Sequence, residues 1–257
     1  MPRPIKDMDV PDNLLGVFCD IDDTLTIDGR LVPGCLDQMV AAKRQGLAIV
    51  PITGRPGGWV DHIARAWPVD GIVGENGGLW AWMDEKKMQR RFLQDEATRT
   101  ANRSKLQDLS QKILDAVPGA ALASDQSYRD LDLAIDFCED VPPLPPSAID
   151  AIVQEFKAAG AECKVSSIHV NGWFGAFDKL VGVERFHLDR WGTPIDYSRW
   201  AFFGDSANDE PMFKAFETSI GVSNVAAFLP QMEHHPTWIT EGHGGLGFIE
   251  GMRLLLR

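Results

Sequence analysis

Leu14-Leu15-Gly16-Val17-Phe18-Cys19-Asp20-Ile21-Asp22-Asp23-Thr24 is an apolar run that stops abruptly on carboxylates. A short run without polar alternation is what a strand buried on both faces requires. Leu14 to Cys19 therefore predicts a buried parallel strand with chemistry at its carboxyl end. Similar runs recur at Leu47 to Ile52, Gly71 to Val73, Trp200 to Phe203 and Ser219 to Val222, each followed by polar or glycine-rich residues. Helical patterns at Gly34 to Gln45, Trp59 to Trp67, Val181 to Trp191 and Glu210 to Phe216 separate most of them. Strands alternating with helices predict right-handed crossovers and an α/β fold with a doubly wound, mostly parallel sheet.

The stretch from Asp84 to Asn171 breaks this rhythm. A charged segment, Asp84 to Arg103, leads into an amphipathic helix ending near Val117. Strand-like runs follow at Leu122 to Tyr128 and Leu131 to Phe137, then a proline cluster at Pro142, Pro143, Pro145 and Pro146. A helix over Ser147 to Ala159 and a strand over Val165 to Val170 complete the stretch. This order predicts a small α+β cap, residues 84–171, inserted into a core made of residues 1–83 and 172–257. Leu131, Leu133, Ile135 and Phe137 fall on one side of a strand, with Asp130, Asp132 and Asp136 on the other; Ile168 and Val170 alternate likewise with Ser167, His169 and Asn171. The polar face either meets water or closes over a cleft and grips substrate hydroxyls through Asp132, Asp136, His169 and Asn171.

A chain of 257 residues, 44% of them hydrophobic, suffices for one large domain or two unequal ones. Lys plus Arg total 25 against 37 Asp plus Glu, a net charge of -12 that repels polyanions and argues against nucleic acid as a partner. A small phosphorylated ligand is still compatible, because a few local cations and a metal ion reverse the sign inside one cleft. Cys19, Cys35, Cys138 and Cys163 form no CxxC pair and read as reduced packing residues of a cytoplasmic protein. Met1 to Asp12 carries prolines and charges where a secretory signal needs an apolar run, and no apolar stretch is long enough to span a membrane. Neither export nor membrane insertion is expected.

Residues two apart at a strand end project into the same space, so Asp20 and Asp22 can flank one reacting phosphorus, one as nucleophile and one as proton carrier. Asp23, at the odd offset, reads as a turn or supporting residue. A carboxylate attacking a phosphate dianion needs cations nearby. Gly204-Asp205-Ser206-Ala207-Asn208-Asp209 closes another apolar run and brings Asp205 to the same sheet edge. With a main-chain carbonyl of Asp22 and waters, Asp20 and Asp205 would make the hard oxygen site that Mg2+ prefers. Lys179, just before a helix, supplies the second cation. Pro51-Ile52-Thr53-Gly54-Arg55 ends a strand at a helix start, where Thr53 and the amides around Gly54 can hold phosphoryl oxygens, with Asn208 as a further donor.

Taken in order, Asp20 to Thr24, Thr53, Lys179 and Asp205 to Asp209 resemble the four motifs of the haloacid dehalogenase superfamily. The insert between Thr53 and Lys179 resembles the type-two cap of the branch containing sucrose-phosphate, trehalose-phosphate and mannosyl-phosphoglycerate phosphatases and eukaryotic-type phosphomannomutases. Gly74-Glu75-Asn76-Gly77-Gly78 resembles that branch's glycine-rich turn. The resemblance implies a Mg2+-dependent phosphatase of a small-molecule phosphate monoester, a sugar phosphate or sugar conjugate, working as a monomer or homodimer. Asp20 is then the nucleophile, Asp22 the general acid and base, Thr53 and Lys179 the phosphoryl holders and Asp20, Asp22 and Asp205 the metal ligands. Asn208 and Asp209 would support the lysine, the phosphate or metal-bound water. A phosphomutase would use the same two aspartates, and a non-catalytic sensor would use the cleft alone. Departures are Leu180 where many relatives have glycine and the aromatic run Trp173 to Phe177, with Trp173 where a hinge meets the cleft.

Gly242-His243-Gly244-Gly245-Leu246-Gly247 fits GxGxxG in form, yet too little chain follows for a dinucleotide-binding βαβ unit. His234 and His235 lack further ligands at zinc spacing.

Overall fold

The structure, a computed structural model, describes residues 1–166 and 168–257. Among these, the main sheet has nine strands in the order Arg3–Pro4, Trp238–Ile239, Thr218–Gly221, Trp200–Gly204, Gly16–Asp20, Ala48–Ile52, Ile72–Gly74, Leu79–Asp84, Lys87–Phe92. The first seven run parallel; Leu79–Asp84 pairs antiparallel with Ile72–Gly74, and Lys87–Phe92 antiparallel with Leu79–Asp84. From Gly16–Asp20 the chain winds outward through Ala48–Ile52 to Ile72–Gly74; after the insert it returns to the other side of Gly16–Asp20 at Trp200–Gly204. Such a reversal opens a crevice at the carboxyl ends of the two strands beside it, where ligands of open α/β sheets bind.

Burial on both faces explains the unbroken apolar runs. Along Gly16–Asp20, Val17 and Cys19 enter one layer with Cys35, Met39, Val60, Ile63 and Phe248, while Phe18 enters the other with Val183, Phe186, Phe202 and Phe213. Helices Pro33–Arg44, Gly57–Ala66 and Gly245–Leu255 cover the first face, and Lys179–Trp191 and Glu210–Ala215 the second. The helix Lys179–Trp191 has sharp ends: the Asp178 carboxylate accepts the Val181 N–H, and Gly192 closes it at φ 74°.

The insert folds as an antiparallel sheet in the order Glu162–Val165, His169–Trp173, Asp132–Asp136, Ala121–Leu122. Helices Glu96–Ala116 and Pro146–Ala158 pack on its apolar face through Leu106, Leu109, Ile113, Ile152 and Phe156 against Leu133, Ile135 and Val170.

Three sequence expectations change here. The boundary at residue 84 falls inside a hairpin, because Leu79–Asp84 and Lys87–Phe92 pair along their length and extend the main sheet, with Glu85 at φ 51° in the turn. The insert therefore begins after Phe92, and the charges of Asp84 to Arg91 decorate the outer hairpin of the main sheet rather than open a helix. The run Leu122 to Tyr128 is a two-residue strand followed by a 3-10 turn, Gln126–Tyr128, that turns Arg129 inward. Val165 to Val170 divides into the ends of two strands; the Ser166 hydroxyl accepts the His169 N–H between them, and Ser167 lies outside the described residues.

Gly77 sits at φ 102°, and a methyl group there would land on the carbonyl oxygen of Asp178, the residue that caps the Lys179 helix. Gly77→Ala is expected to cost about 2 to 4 kcal/mol through combined backbone strain and overpacking. Urea unfolding reads this directly; a variant with wild-type stability would show that the turn has room to relax.

Candidate active site

Three parallel strands end at one edge: Asp20 closes one, Thr53 follows the second and Asp205 the third. Asp20, 5% exposed, accepts the Ile21 N–H through Oδ1 at 2.8 Å and turns Oδ2 toward Lys179 Nζ, 2.8 Å away. Lys179 is the first residue of its helix and is equally buried; it also donates to Asp209 Oδ1 at 2.7 Å and Asn208 Oδ1 at 3.2 Å. The other Asp209 oxygen accepts the N–H of Asp205 at 3.0 Å, so Asp209 shapes the loop that presents Asp205 while it holds the lysine. Asp205 is met by the Thr24 hydroxyl at 3.3 Å and the Asn224 amide at 3.4 Å. Thr53, fully buried, donates to Asp22 Oδ2 at 3.5 Å and accepts the Arg55 N–H at 3.0 Å.

The charges do not balance. Among the described residues, oxygens of Asp20, Asp205 and Asp209, all buried, lie within 4.8 Å of one another, against the single ammonium of Lys179. Burial, countered by Lys179 and reinforced by Asp209 and Asp22, pushes Asp20 up to about 7. Burial and the carboxylates of Asp209 and Asp20 raise Asp205 well above its ordinary value. Lys179 is held above the usual lysine value because Asp20 and Asp209 outweigh its own desolvation. An all-oxygen cluster with surplus negative charge fits a hard divalent cation, which would offset what one lysine leaves uncompensated. The Asp22 side chain does not belong to this cluster: Arg55 holds its carboxylate, with Nε at 3.1 Å and Nη2 at 2.9 Å from Oδ1. Of the ligand assignment made for Asp22, only the main-chain carbonyl is left available.

No family model matches the sequence, and no curated protein matches it. Solved structures do resemble it. A Thermoplasma acidophilum protein superposes with TM-score 0.75 at 15% identity, covering 95% of this chain and 99% of that one. The sucrose-phosphatase from Synechocystis sp. PCC6803, solved in complex with sucrose and phosphate, gives TM-score 0.66 at 16% identity over 95% of this chain and 98% of the other. A haloacid dehalogenase-like hydrolase from Bacteroides thetaiotaomicron gives TM-score 0.67 at 13% identity over 94% and 99%.

This chain has the haloacid dehalogenase-like fold.

Because the match covers nearly the whole chain, the haloacid dehalogenase-like fold here includes the insert, whose polar sheet face is turned toward the cleft. His169 and Asn171 line a cavity of about 550 Å³ together with Asp20, Asp22, Gly54, Lys179, Asp205 and Asn208. Asp132 and Asp136 do not. Arg129 Nη1 and the Asn171 amide take the Asp132 carboxylate at 3.0 Å, and Asp136 accepts the N–H groups of Cys138, Glu139 and Asp140 at 2.8 to 2.9 Å. Both carboxylates are occupied in holding the cap together, a role that strand alternation alone does not distinguish from gripping a ligand. Trp173 is buried and stacks on Phe177, 5.4 Å between centroids, so it belongs to the joint between the units.

Sequence reasoning passes over four residues. Arg55 stands in the quoted Thr53-Gly54-Arg55 run, where only the hydroxyl and the helix start drew notice. Glu75, fully buried at φ 43°, accepts N–H groups of Gly57, Asp130 and Leu131 at 2.6 to 3.0 Å and so clasps cap to core. Burial and Asp132 push it up to about 8, against the pull of those donors and of Arg129. Arg129 joins the units a second time by donating to the Gly54 carbonyl at 2.9 Å. Asn224 donates to the Asp23 carbonyl at 2.9 Å and accepts the Gly244 N–H at 3.0 Å, tying the declined glycine run to the nucleophile loop. The glycine of the resembling turn could have drawn attention to Glu75; nothing local marks the other three.

Proposed function

We propose that this chain is a Mg2+-dependent phosphatase that hydrolyses a phosphorylated sugar or sugar conjugate through an aspartyl phosphate on Asp20. The observation that carries the reading is the contact of Lys179 with Asp20 at 2.8 Å, beside Asp205 and Asp209, with the Asp22 carboxyl held separately by Arg55. A nucleophile, a proton carrier and a counter-charge thus share one sheet edge.

Asp20 attacks phosphorus as the bond from phosphorus to the ester oxygen breaks, and Asp22 gives its proton to the departing alkoxide. Asp22 then takes a proton from water as the water oxygen attacks the acyl phosphate. The bond from Asp20 to phosphorus breaks, inorganic phosphate leaves, and both aspartates return to their first state. Lys179 neutralises the phosphoryl oxygens, and Thr53 with the amides around Gly54 orients them. Asp20, Asp205 and the main-chain carbonyl of Asp22 would hold Mg2+, and the bound ion would supply further positive charge for a phosphate dianion approaching a carboxylate.

A sugar leaving group is supported by the cavity: about 550 Å³ exceeds what a phosphoryl group needs, and His169, Asn171, Ser166 and Gln231 offer hydroxyl partners. The Synechocystis neighbour bound to sucrose and phosphate and a trehalose-6-phosphate phosphatase domain from C. albicans, TM-score 0.67 at 15% identity over 95% of this chain and 93% of that one, agree with it. Phosphate release from a panel of sugar phosphates is expected with Mg2+ and is expected to fall by two orders of magnitude or more, on the order of one lost electrostatic contact, when the metal is chelated. No turnover of any phosphate monoester defeats the reading.

A further inference from the structure

Arg55 divides its guanidinium between the two units. On the core side, Nε and Nη2 lie 2.9 to 3.2 Å from the Asp22 carboxylate. Nη1 faces two cap carboxylates, Glu139 Oε1 at 3.5 Å and Asp125 Oδ2 at 4.0 Å. The Trp59 ring covers one face at 4.8 Å. Asp125 is already bound by Arg129 at 3.0 Å, which makes Glu139 the cap group that bears on Arg55 most directly.

Glu139 is itself well placed. Its N–H donates to Asp136 at 2.8 Å within the loop that Asp136 organises, and its Oε2 lies 2.9 Å from His169 Nε2 on the adjacent strand. The cap loop thus carries Glu139 to one edge of a rigid planar fork, and the opposite edge of that fork holds Asp22. A guanidinium held at both edges has one orientation, whereas one held at a single edge can swing with its partner.

We infer that Glu139 is a positioning residue for the proton donor: acting through Arg55, it sets the Asp22 carboxyl against the leaving group when the cap is seated on the core. This rests on the phosphatase reading, in which Asp22 protonates the departing oxygen. The leaving group then becomes the probe. An alkoxide departs poorly without a proton, whereas a nitrophenolate departs unaided.

The test compares the wild type with Glu139→Gln on an alkyl phosphate, taken from the sugar phosphates the wild type turns over, and on p-nitrophenyl phosphate. On the alkyl ester kcat/KM, which reports the steps up to departure of the leaving group and not the later attack of water common to both esters, is expected to fall about 10- to 30-fold, a fraction of the 10²–10⁴ that a general acid supplies, and on the aryl ester less than about threefold. A purely structural role would slow both esters alike, and that result overturns the inference. The Arg55 Nε–H nuclear magnetic resonance signal, identified by its loss in Arg55→Lys, needs no turnover. It is expected to exchange with solvent about tenfold faster in Glu139→Gln, as a loosened hydrogen bond does. An unchanged signal overturns the inference as well. Absence of turnover on every ester by the wild type defeats the phosphatase reading instead, and the signal still decides whether Glu139 holds Arg55.

Discussion

Asp20→Asn is expected to lower turnover by roughly four orders of magnitude or more, while the metal-free protein melts no lower than wild type at pH 8. Loss of the nucleophile accounts for the first half. The second follows from the surplus of buried negative charge. Burial foremost, with Asp209 and Asp22 adding and Lys179 opposing, raises Asp20 from 3.8 to about 7. A carboxyl raised on folding favours the folded state in its protonated form. That contribution is complete below pH 3.8 and is lost as pH rises through about 7. At pH 8 the wild type therefore carries a buried charge that asparagine removes, and Lys179 still keeps Asp209 at 2.7 Å. Scanning calorimetry in chelator, beside a phosphate-release assay with metal, checks both halves. Added Mg2+ is expected to raise the wild-type melting temperature more than that of the variant, since a ligand stabilises the folded state by its occupancy there. Retained turnover would remove Asp20 as nucleophile. A clear drop in melting temperature at pH 8 would mean that the Lys179 pair outweighs the surplus charge.

The main outline was legible in the sequence because it depends on local pattern. Buried parallel strands are apolar throughout, so Leu14 to Cys19 and Trp200 to Phe203 announce themselves, and carboxylates at their ends share an edge whatever the details of packing. What stayed hidden depends on partners distant in sequence. The hairpin Leu79–Asp84 with Lys87–Phe92 holds Lys87, Arg90 and Arg91 on an edge strand, and a run of charge alone reads equally well as a solvated helix. Asp132 and Asp136 fall on the predicted polar face, yet their oxygens are taken by Arg129 and by the loop Cys138 to Asp140. Alternation gives a side chain's face, not its partner. Arg55 and Asp22 are 33 positions apart, and only the folded geometry makes them a pair.

Lys179→Met is expected to be the most destabilising single change in the site. The side chain is 4% exposed and is the one cation within bonding distance of Asp20 and Asp209 among the described residues. Methionine fills a similar volume but leaves Asp20, Asp205 and Asp209 facing one another without compensation. Breaking a buried pair by removing one partner costs about 3 to 5 kcal/mol, a large part of the roughly 5 to 15 kcal/mol that holds a typical domain folded. The loss should depend on pH. Lys179 is the main influence that lowers Asp20 and one that lowers Asp205, so its removal raises both further, and protonation relieves the repulsion as the solution is acidified. Urea midpoints of the metal-free variant should therefore lie far below wild type at pH 8 and approach it near pH 5. Adding Asp20→Asn to Lys179→Met should recover part of the stability at pH 8, as expected for contacting residues whose effects do not add. Turnover should fall about 10²–10³-fold even where the variant is folded, the scale of one lost electrostatic contact to a developing negative charge. Wild-type stability at pH 8 together with wild-type turnover would show that the three acids are compensated by something other than this lysine, and the arrangement of nucleophile, counter-charge and metal ligands argued here would have to be redrawn.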